Sequence, residues 1–437
     1  MTGLLGYAAY VPRHRLGKRV VAGYDEDSTT MAVAATAAAL HGTGAPALYF
    51  ATSTPAYADK TNATSVHAAL GLPDTAVAAD LCGTGRSAFA AMTLAAQTGG
   101  VAVAADVRVG RPGSPDEKLG GDGAAALVFG DGPVIADVLA RASRTEEFLD
   151  RWRASGAVTG QQWEERFGFE RYSRLVRAAA ADALDAAGVA DADHVVLACP
   201  NAAVTKRAGA LVKGQKSVQV SPIGFSGSAD AMMALCAVLD TADAGDSILV
   251  LSATDGCDAL VLRATAQLAR RRQGKPLAGQ LTGGLPVTPL TYLSWRGLVE
   301  LEPPRRPEPD RVGAPPASRS ASWKFGLTGT RCDDCGFVHL PPSRVCRGCG
   351  ATDRMSPAPV AGLTGTVATF TVDRLAYSPS PPMVQAVVDV DGGGRFTVEI
   401  ADAEPDRLQV GARVRFSFRR LFTAGGIHDY FWKAVLI

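Results

Sequence analysis

The 437-residue sequence carries almost no net charge: 44 Lys and Arg stand against 43 Asp and Glu, leaving +1. It has no long basic run, so nothing in its charge points to nucleic acid as a partner. It lacks any stretch of about 18 apolar residues free of charges and turn formers, so no membrane span is expected. The opening MTGLLGYAAYVPRHRL interrupts its short apolar run with Pro and Arg, which does not fit a secretory signal. Cysteine is sparse, and four of the eight fall between positions 332 and 349, which reads as one metal site plus scattered free thiols. These absences make a cytoplasmic protein the expectation.

What is present is a large apolar fraction, 47% against 20% charged, in a chain long enough for two or three domains. Up to about residue 290, Ala and Gly dominate. Short apolar runs there read as buried strands: ALYFATST (47–54), VAVAAD (101–106), AALVFG (125–130), HVVLACP (194–200) and SILVLSAT (247–254). Helical patterns such as SRLVRAAAADALDAAG (173–188) lie between them. Strands alternating with helices predict a layered α/β domain.

This region also repeats itself. ALYFATSTPA pairs with VVLACPNAAV, GTGRSAFAAM with GFSGSADAMM, and VAVAADVRVG with SILVLSATDG, each at an offset of about 140–150 residues by subtraction of their positions. Two βαβ-rich halves packed as a pseudo-dimer are one explanation; chance likeness between Ala-rich segments is the other. The boundaries expected are 1–150 and 151–295 for the halves, a linker at 296–330 built around PPRRPEPDRVGAPPASRSAS, a zinc ribbon at 331–355 and an OB-fold at 356–437. The last assignment rests on the alternating runs GTVATFTV, MVQAVVDV, RFTVEIA and ARVRFSF.

Cys332, Cys335, Cys346 and Cys349 form two C-x-x-C knuckles, each followed by Gly. Two such knuckles grip a tetrahedral ion from opposite sides, and four thiolates with no open position suit a structural zinc. Cys82 is the candidate nucleophile. It follows an apolar stretch and precedes the helical pattern GTGRSAFAAMTLAAQ, so a helix N-terminus is expected to favour its thiolate. Gly83 and Gly85 permit an irregular turn there. On the residues alone, a small core thiol remains the alternative.

The ordered set GLLGYAAYVPRHRL, DEDSTTMAVAA, ADLCGTGRSA, GGDGAAALVFGD and PIGFSGSA resembles the hydroxymethylglutaryl-CoA synthase branch of the thiolase superfamily. The C-terminal part is similar to zinc-ribbon/OB-fold domains that accompany thiolases and acyl-CoA aldolases. The resemblance implies a five-layered duplicated α/β/α/β/α fold. It also implies an acyl-Cys intermediate at Cys82, with a backbone N–H at the nucleophile turn as oxyanion donor. It implies further a Glu, a His and an Asn that this sequence does not supply. Ser53 stands at the Glu place, Ala198 at the His place with Cys199 beside it, and FSGS follows Ile223-Gly224 where the Asn belongs.

Asp255 and Cys199 are candidate replacement groups; if Cys199 faces Cys82, the two thiols could form a disulfide or share a proton. Asp122 is expected to shape its loop by accepting backbone N–H bonds. Lys206, Arg207 and Lys213 are candidates for a CoA phosphate. The expected activity is acyl transfer or C–C condensation from a CoA or acyl-carrier-protein thioester, with little need for a base if the acceptor is already nucleophilic. A retro-aldolase acting on acyl-CoA and a non-catalytic scaffold are the alternatives. A homodimer is expected, with VAVAAD (101–106) as its edge strand.

Overall fold

The computed structural model describes residues 3–302 and 306–437. They divide into two compact units. One comprises the chain up to Ala22, Asp27–Thr64 and Pro73–Pro286; the other comprises Gly23–Glu26, Ser65–Leu72 and Val287–Ile437.

The first unit is built on a ten-stranded sheet. Its first half contributes β1 (Gly3–Tyr10), β2 (Ala47–Thr52), β3 (Val77–Cys82), β4 (Gly100–Asp106) and β5 (Gly123–Gly130). Its second half contributes β6 (Ala136–Thr145), β7 (His194–Ala198), β8 (Ser217–Gln219), β9 (Ser247–Ser252) and β10 (Gly256–Ala264). The spatial order is β8-β7-β9-β10-β6-β1-β5-β4-β2-β3. Each half therefore runs third, second, fourth, fifth, first. Within each half the second strand pairs in parallel with the third and fourth, and the fifth pairs antiparallel with the fourth and first. The halves meet at the bridge Leu4↔Ala136. The repeats seen in the sequence fall on equivalent elements, β2 with β7 and β4 with β9, so they record a duplication.

Four helices matter for the site: α1 (Ser28–Leu40), α2 (Gly85–Thr98), α3 (Glu165–Ala187) and α4 (Asp230–Leu239). Helix α2 starts with a reciprocal cap between Thr84 and Ser87. Its buried face, Ala88, Phe89, Ala91, Met92, Ala95 and Ala96, shares one apolar cluster with Ala231–Leu235 of α4. Small side chains let the equivalent helices of the two halves approach closely. Helix α3 covers β6 and β10 within a second cluster that contains Tyr172, Cys199 and Cys257.

One expectation is overturned. VAVAAD lies in β4, fully buried between β5 and β2, and is not an edge. Buried on both faces, such a strand reads as a continuous apolar run, which hides its position in the sheet. The edge of the first half is β3, where Val77 is 56% exposed.

The second unit holds a three-stranded sheet (Thr328–Cys332, Val338–His339, Met355–Pro359) and a five-stranded antiparallel sheet ordered 395–399, 383–390, 364–373, 413–424, 427–436. The bridge Ile400↔Ala434 curls the latter toward closure. The strand Ile427–Leu436 was not foreseen, because IHDYFWKAVL lacks clean alternation. Inside this unit Arg419, 1% exposed, pairs with Asp25, Glu26 and Asp402, and Lys433 pairs with Asp25 and Glu399. The Pro-rich segment carries short helices at Ala314–Arg319 and Ala321–Lys324, while residues 303–305 lie outside the described ones. No helix among the described residues is long and apolar enough to cross a membrane.

Candidate active site

Cys82 is the last residue of β3 and is exposed. Helix α2 begins only at Gly85, with Thr84 as its cap, so Cys82 lies short of the first turn. The thiol is raised above its ordinary range by partial desolvation and by the carboxylates of Asp80 and Asp106. The direction runs against the expected helix-favoured thiolate: partial burial first, and then the two carboxylates, disfavour the charged form at a thiol that lies before the capped helix start. Two N–H groups of the turn are also engaged, Gly83 with Thr52 O at 3.1 Å and Thr84 with Ser87 Oγ at 3.4 Å.

The turn opens onto a cavity of about 190 Å³ whose wall includes Gly83, Thr84, Gly85, Ser53, Thr254 and Asp255. Gly85 has a steric reason to lack a side chain, since a Cβ there would sit 3.1 Å from Thr254 Oγ1. Asp255 adopts a left-handed φ of 50°, and its carbonyl accepts a 2.6 Å bond from Arg86 at the start of α2. Arg86 also bonds Thr145 Oγ1 at 2.6 Å and Asp258 at 3.1 Å, so it holds the second half's loop against the Cys82 turn. Burial and Glu147 push the Asp255 carboxyl up. The structure thus brings Asp255 to the cavity beside the Cys82 turn.

A second cavity of about 750 Å³ shares Gly160, Pro200 and Phe225 with the first. It takes Cys199 and Lys206 into its wall. Cys199 is 2% exposed, and its thiol is raised well above the ordinary range, chiefly by burial. It packs with Tyr172 and Cys257 in the second half's apolar cluster. Of the three basic candidates, Lys206 reaches the larger cavity. Arg207 lies over the Phe169 ring at 4.7 Å, and Lys213 is exposed on another loop and lines neither cavity.

The substituted positions are occupied in specific ways. Ser53 donates to Asp106 Oδ2 at 2.7 Å and accepts from Arg108 at 3.2 Å. Ala198 ends β7, buried. Phe225 stands after Ile223-Gly224, with Arg108 and Arg151 at 5.1 and 5.4 Å from its ring centre. Asp122 accepts from Ala22 N at 2.8 Å and Arg108 N at 2.6 Å, the loop-shaping role expected of it. Sequence reading missed Arg86, Arg108, Arg151, Arg153 and Tyr172. The run Arg151-Trp152-Arg153, charged and aromatic at the join of the halves, was the available signal.

In the second unit, the sulfurs of Cys332, Cys335, Cys346 and Cys349 lie within 4.8 Å of one another, with Cys332–Cys349 at 3.7 Å and Cys335–Cys346 at 3.4 Å. Zinc–sulfur bonds of about 2.3 Å set tetrahedral edges near 3.8 Å, so the residues fit the ion. Zinc bound there fixes the ribbon and takes no part in chemistry.

Comparison with known proteins agrees with this geometry. Residues 326–353 match the family described as ChsH2, rubredoxin-like zinc ribbon domain, and residues 358–419 match ChsH2, C-terminal OB-fold domain. The hydroxymethylglutaryl-CoA synthase of Archaeoglobus fulgidus is 30% identical over 308 residues, which span 61% of this chain and 90% of that protein. The chain belongs to the hydroxymethylglutaryl-CoA synthase family. The Methanopyrus kandleri synthase is 29% identical over 319 residues, 63% of this chain and 91% of its own.

Among solved structures, an HMG-CoA synthase complexed with CoA superposes with a TM-score of 0.59 at 14% identity, covering 69% of this chain and 91% of that one. A 3-oxoacyl-(acyl carrier protein) synthase III from Pseudomonas aeruginosa gives 0.52 at 18% identity, covering 60% and 98%. The fold of this HMG-CoA synthase family member is thus the duplicated thiolase-like one, followed by a zinc ribbon and an OB-fold. Its relatives are acyl-thioester condensing enzymes, which places it in that general class.

Proposed function

We propose that the protein is a cytoplasmic acyltransferase or condensing enzyme that carries its acyl group on Cys82. The observation that supports this best is the position of Cys82: an exposed thiol at the end of β3, directly before a cavity wall of Gly83, Thr84 and Gly85. The larger cavity falls within the roughly 300–1,000 Å³ usual for cofactor-sized ligands and suits the arm of CoA or of an acyl-carrier protein, with Lys206 at its wall. The Cys82 sulfur, losing its proton, attacks the thioester carbonyl. The donor's sulfur leaves and is protonated, and the acyl-Cys82 bond is then broken by the acceptor.

With Ser53, Ala198 and Phe225 where the family resemblance implies Glu, His and Asn, the acceptor is one already nucleophilic, such as an amine, an enol or an electron-rich ring. The exposed edge β3 supports a homodimer joined strand to strand. Intact-mass measurement after incubation with an acyl-CoA tests the covalent step; a protein that stays unmodified at Cys82 overturns it.

A second reading, retro-aldol cleavage of an acyl-CoA without a covalent Cys, is favoured by the ChsH2-type zinc ribbon and OB-fold. Turnover of a β-hydroxyacyl-CoA by Cys82→Ala distinguishes it.

A further inference from the structure

Phe225 lines both the smaller and the larger cavity, a property it shares with Gly160 and Pro200. Gly160 has no side chain, so the rings of Phe225 and Pro200 are the side chains common to the two walls. The backbone of Phe225 is fixed. Its N–H donates to Leu119 O at 3.0 Å, its carbonyl accepts from Gly121 N at 3.1 Å, and it bridges in parallel with Gly120. The two loops touch so closely that a Cβ on Gly121 would fall 2.0 Å from Ile223 O.

The ring is held as well. The guanidinium groups of Arg108 and Arg151 stand 5.1 and 5.4 Å from its centre, within cation–π range. Both are anchored elsewhere: Arg151 pairs with Asp116, and Arg108 donates to Ser53 Oγ at 3.2 Å. Swinging the ring aside therefore breaks contacts with two tethered side chains. The family resemblance implies the short, polar Asn here, so this bulky apolar partition is the chain's own.

The smaller cavity takes Gly83, Thr84 and Gly85 of the Cys82 turn into its wall and measures about 190 Å³. A cavity of about 150 Å³ holds benzene, so this one holds an acyl group of about six or seven non-hydrogen atoms. A longer chain needs room from the larger cavity, and Phe225 stands in the common wall.

We propose that Phe225 is the specificity-determining residue for the acyl group: its ring confines that group to the smaller cavity, so compact acyl groups are accepted and chains much beyond about six carbons are refused. The inference deepens the acyl-Cys82 reading and rests on it for which end of the substrate enters the smaller cavity.

Affinity against chain length shows where the room ends, because each CH₂ that is buried strengthens binding about fourfold. Acetyl-, butyryl-, hexanoyl- and octanoyl-CoA are titrated by calorimetry into the full-length Cys82→Ala protein, and into the same protein carrying Phe225→Ala or Phe225→Leu. Thermal melting confirms that each is folded, and the Leu variant decides the question if the Ala variant is not. With Phe225 present, affinity is expected to rise as far as butyryl- or hexanoyl-CoA and to fall about tenfold at octanoyl-CoA, as for an overpacked site. In Phe225→Ala it is expected to go on rising through octanoyl-CoA, with Phe225→Leu intermediate. A steady rise or a flat profile with Phe225 present overturns the proposal, as does the same break in both Phe225 variants. Absence of binding by all four overturns it together with the thioester reading. Acylation of wild-type Cys82 by butyryl-CoA is scored separately: its absence, with the break and its relief intact, removes the covalent reading and leaves selection by Phe225 standing.

Discussion

The Ser53 hydroxyl donates to Asp106 Oδ2 at 2.7 Å, and the Ser53 N–H donates to Oδ1 at 2.7 Å. Asp106 is fully buried and also accepts from Thr52 Oγ1, from the N–H and hydroxyl of Thr54, and from Ser228 N. A carboxylate so engaged ties β4 to the loops after β2 and before α4. It leaves no lone pair in easy reach of a substrate, so it does not replace the family's Glu. Gly227 follows from the same arrangement, since a Cβ there would fall 2.0 Å from Asp106 Oδ2.

Asp106→Asn turns two of those N–H or O–H donors against an amide donor. A loss of roughly 2–4 kcal/mol is expected, read by denaturant unfolding. An unchanged midpoint would mean that the network contributes nothing net.

Asp230 is buried with its carboxyl raised to about 7, burial being the main cause. The folded state therefore holds its proton more tightly than the unfolded chain, so stability is greatest below about pH 4 for this group. Stability is lost as pH rises from there through 7. Asp230→Asn keeps an oxygen for the Ser226 N–H and is expected to stabilise the protein at pH 8 by roughly 2–4 kcal/mol, with little effect at pH 4. A stability difference independent of pH would refute this.

The buried cluster of the second unit gives a prediction of opposite sign. Arg419→Met leaves the carboxylates of Asp25, Glu26 and Asp402 without their shared cation. A loss of about 3–5 kcal/mol is expected, seen as faster hydrogen exchange in strands 413–424 and 427–436.

The duplicated fold was legible because the repeats fall on strands of equal rank, whose burial on both faces demands continuous apolar runs. The zinc ligands were legible because spacing alone specifies the knuckles. The site was harder. VAVAAD carries no sign of its neighbours, so its apolar run does not distinguish an interior strand from an edge. Cys82 stands at a turn the pattern marks, but its charge state depends on partial burial and then on Asp80 and Asp106. Asp106 comes to the site only when β4 lies beside β2. Arg108 and Arg151 converge on Phe225 from different loops, a meeting that no local pattern encodes.

Zinc should copurify at about one ion per chain, and Cys335→Ser should abolish it while strands β1–β10 keep their exchange protection. Metal-free protein with four freely titrating native thiols at 332, 335, 346 and 349 would contradict the ribbon assignment.

Edge strand β3 replaces β4 as the expected homodimer contact. Ala79→Pro removes a backbone donor and is expected to shift the protein toward monomer in light scattering at micromolar concentration. A wild type that is already monomeric there would refute the homodimer.

Acylation of Cys82 is the most direct measurement. Peptide mass mapping after incubation with an acyl-CoA should show the acyl mass on Cys82, not on buried Cys199, Cys236 or Cys257. Because its thiol is raised, loading should quicken as pH rises into the alkaline range instead of levelling off near neutrality. Cys82→Ala should lose both the adduct and acyl transfer to a nucleophilic acceptor. Full transfer by Cys82→Ala, or efficient hydroxymethylglutaryl-CoA formation from acetyl-CoA and acetoacetyl-CoA, would contradict the account.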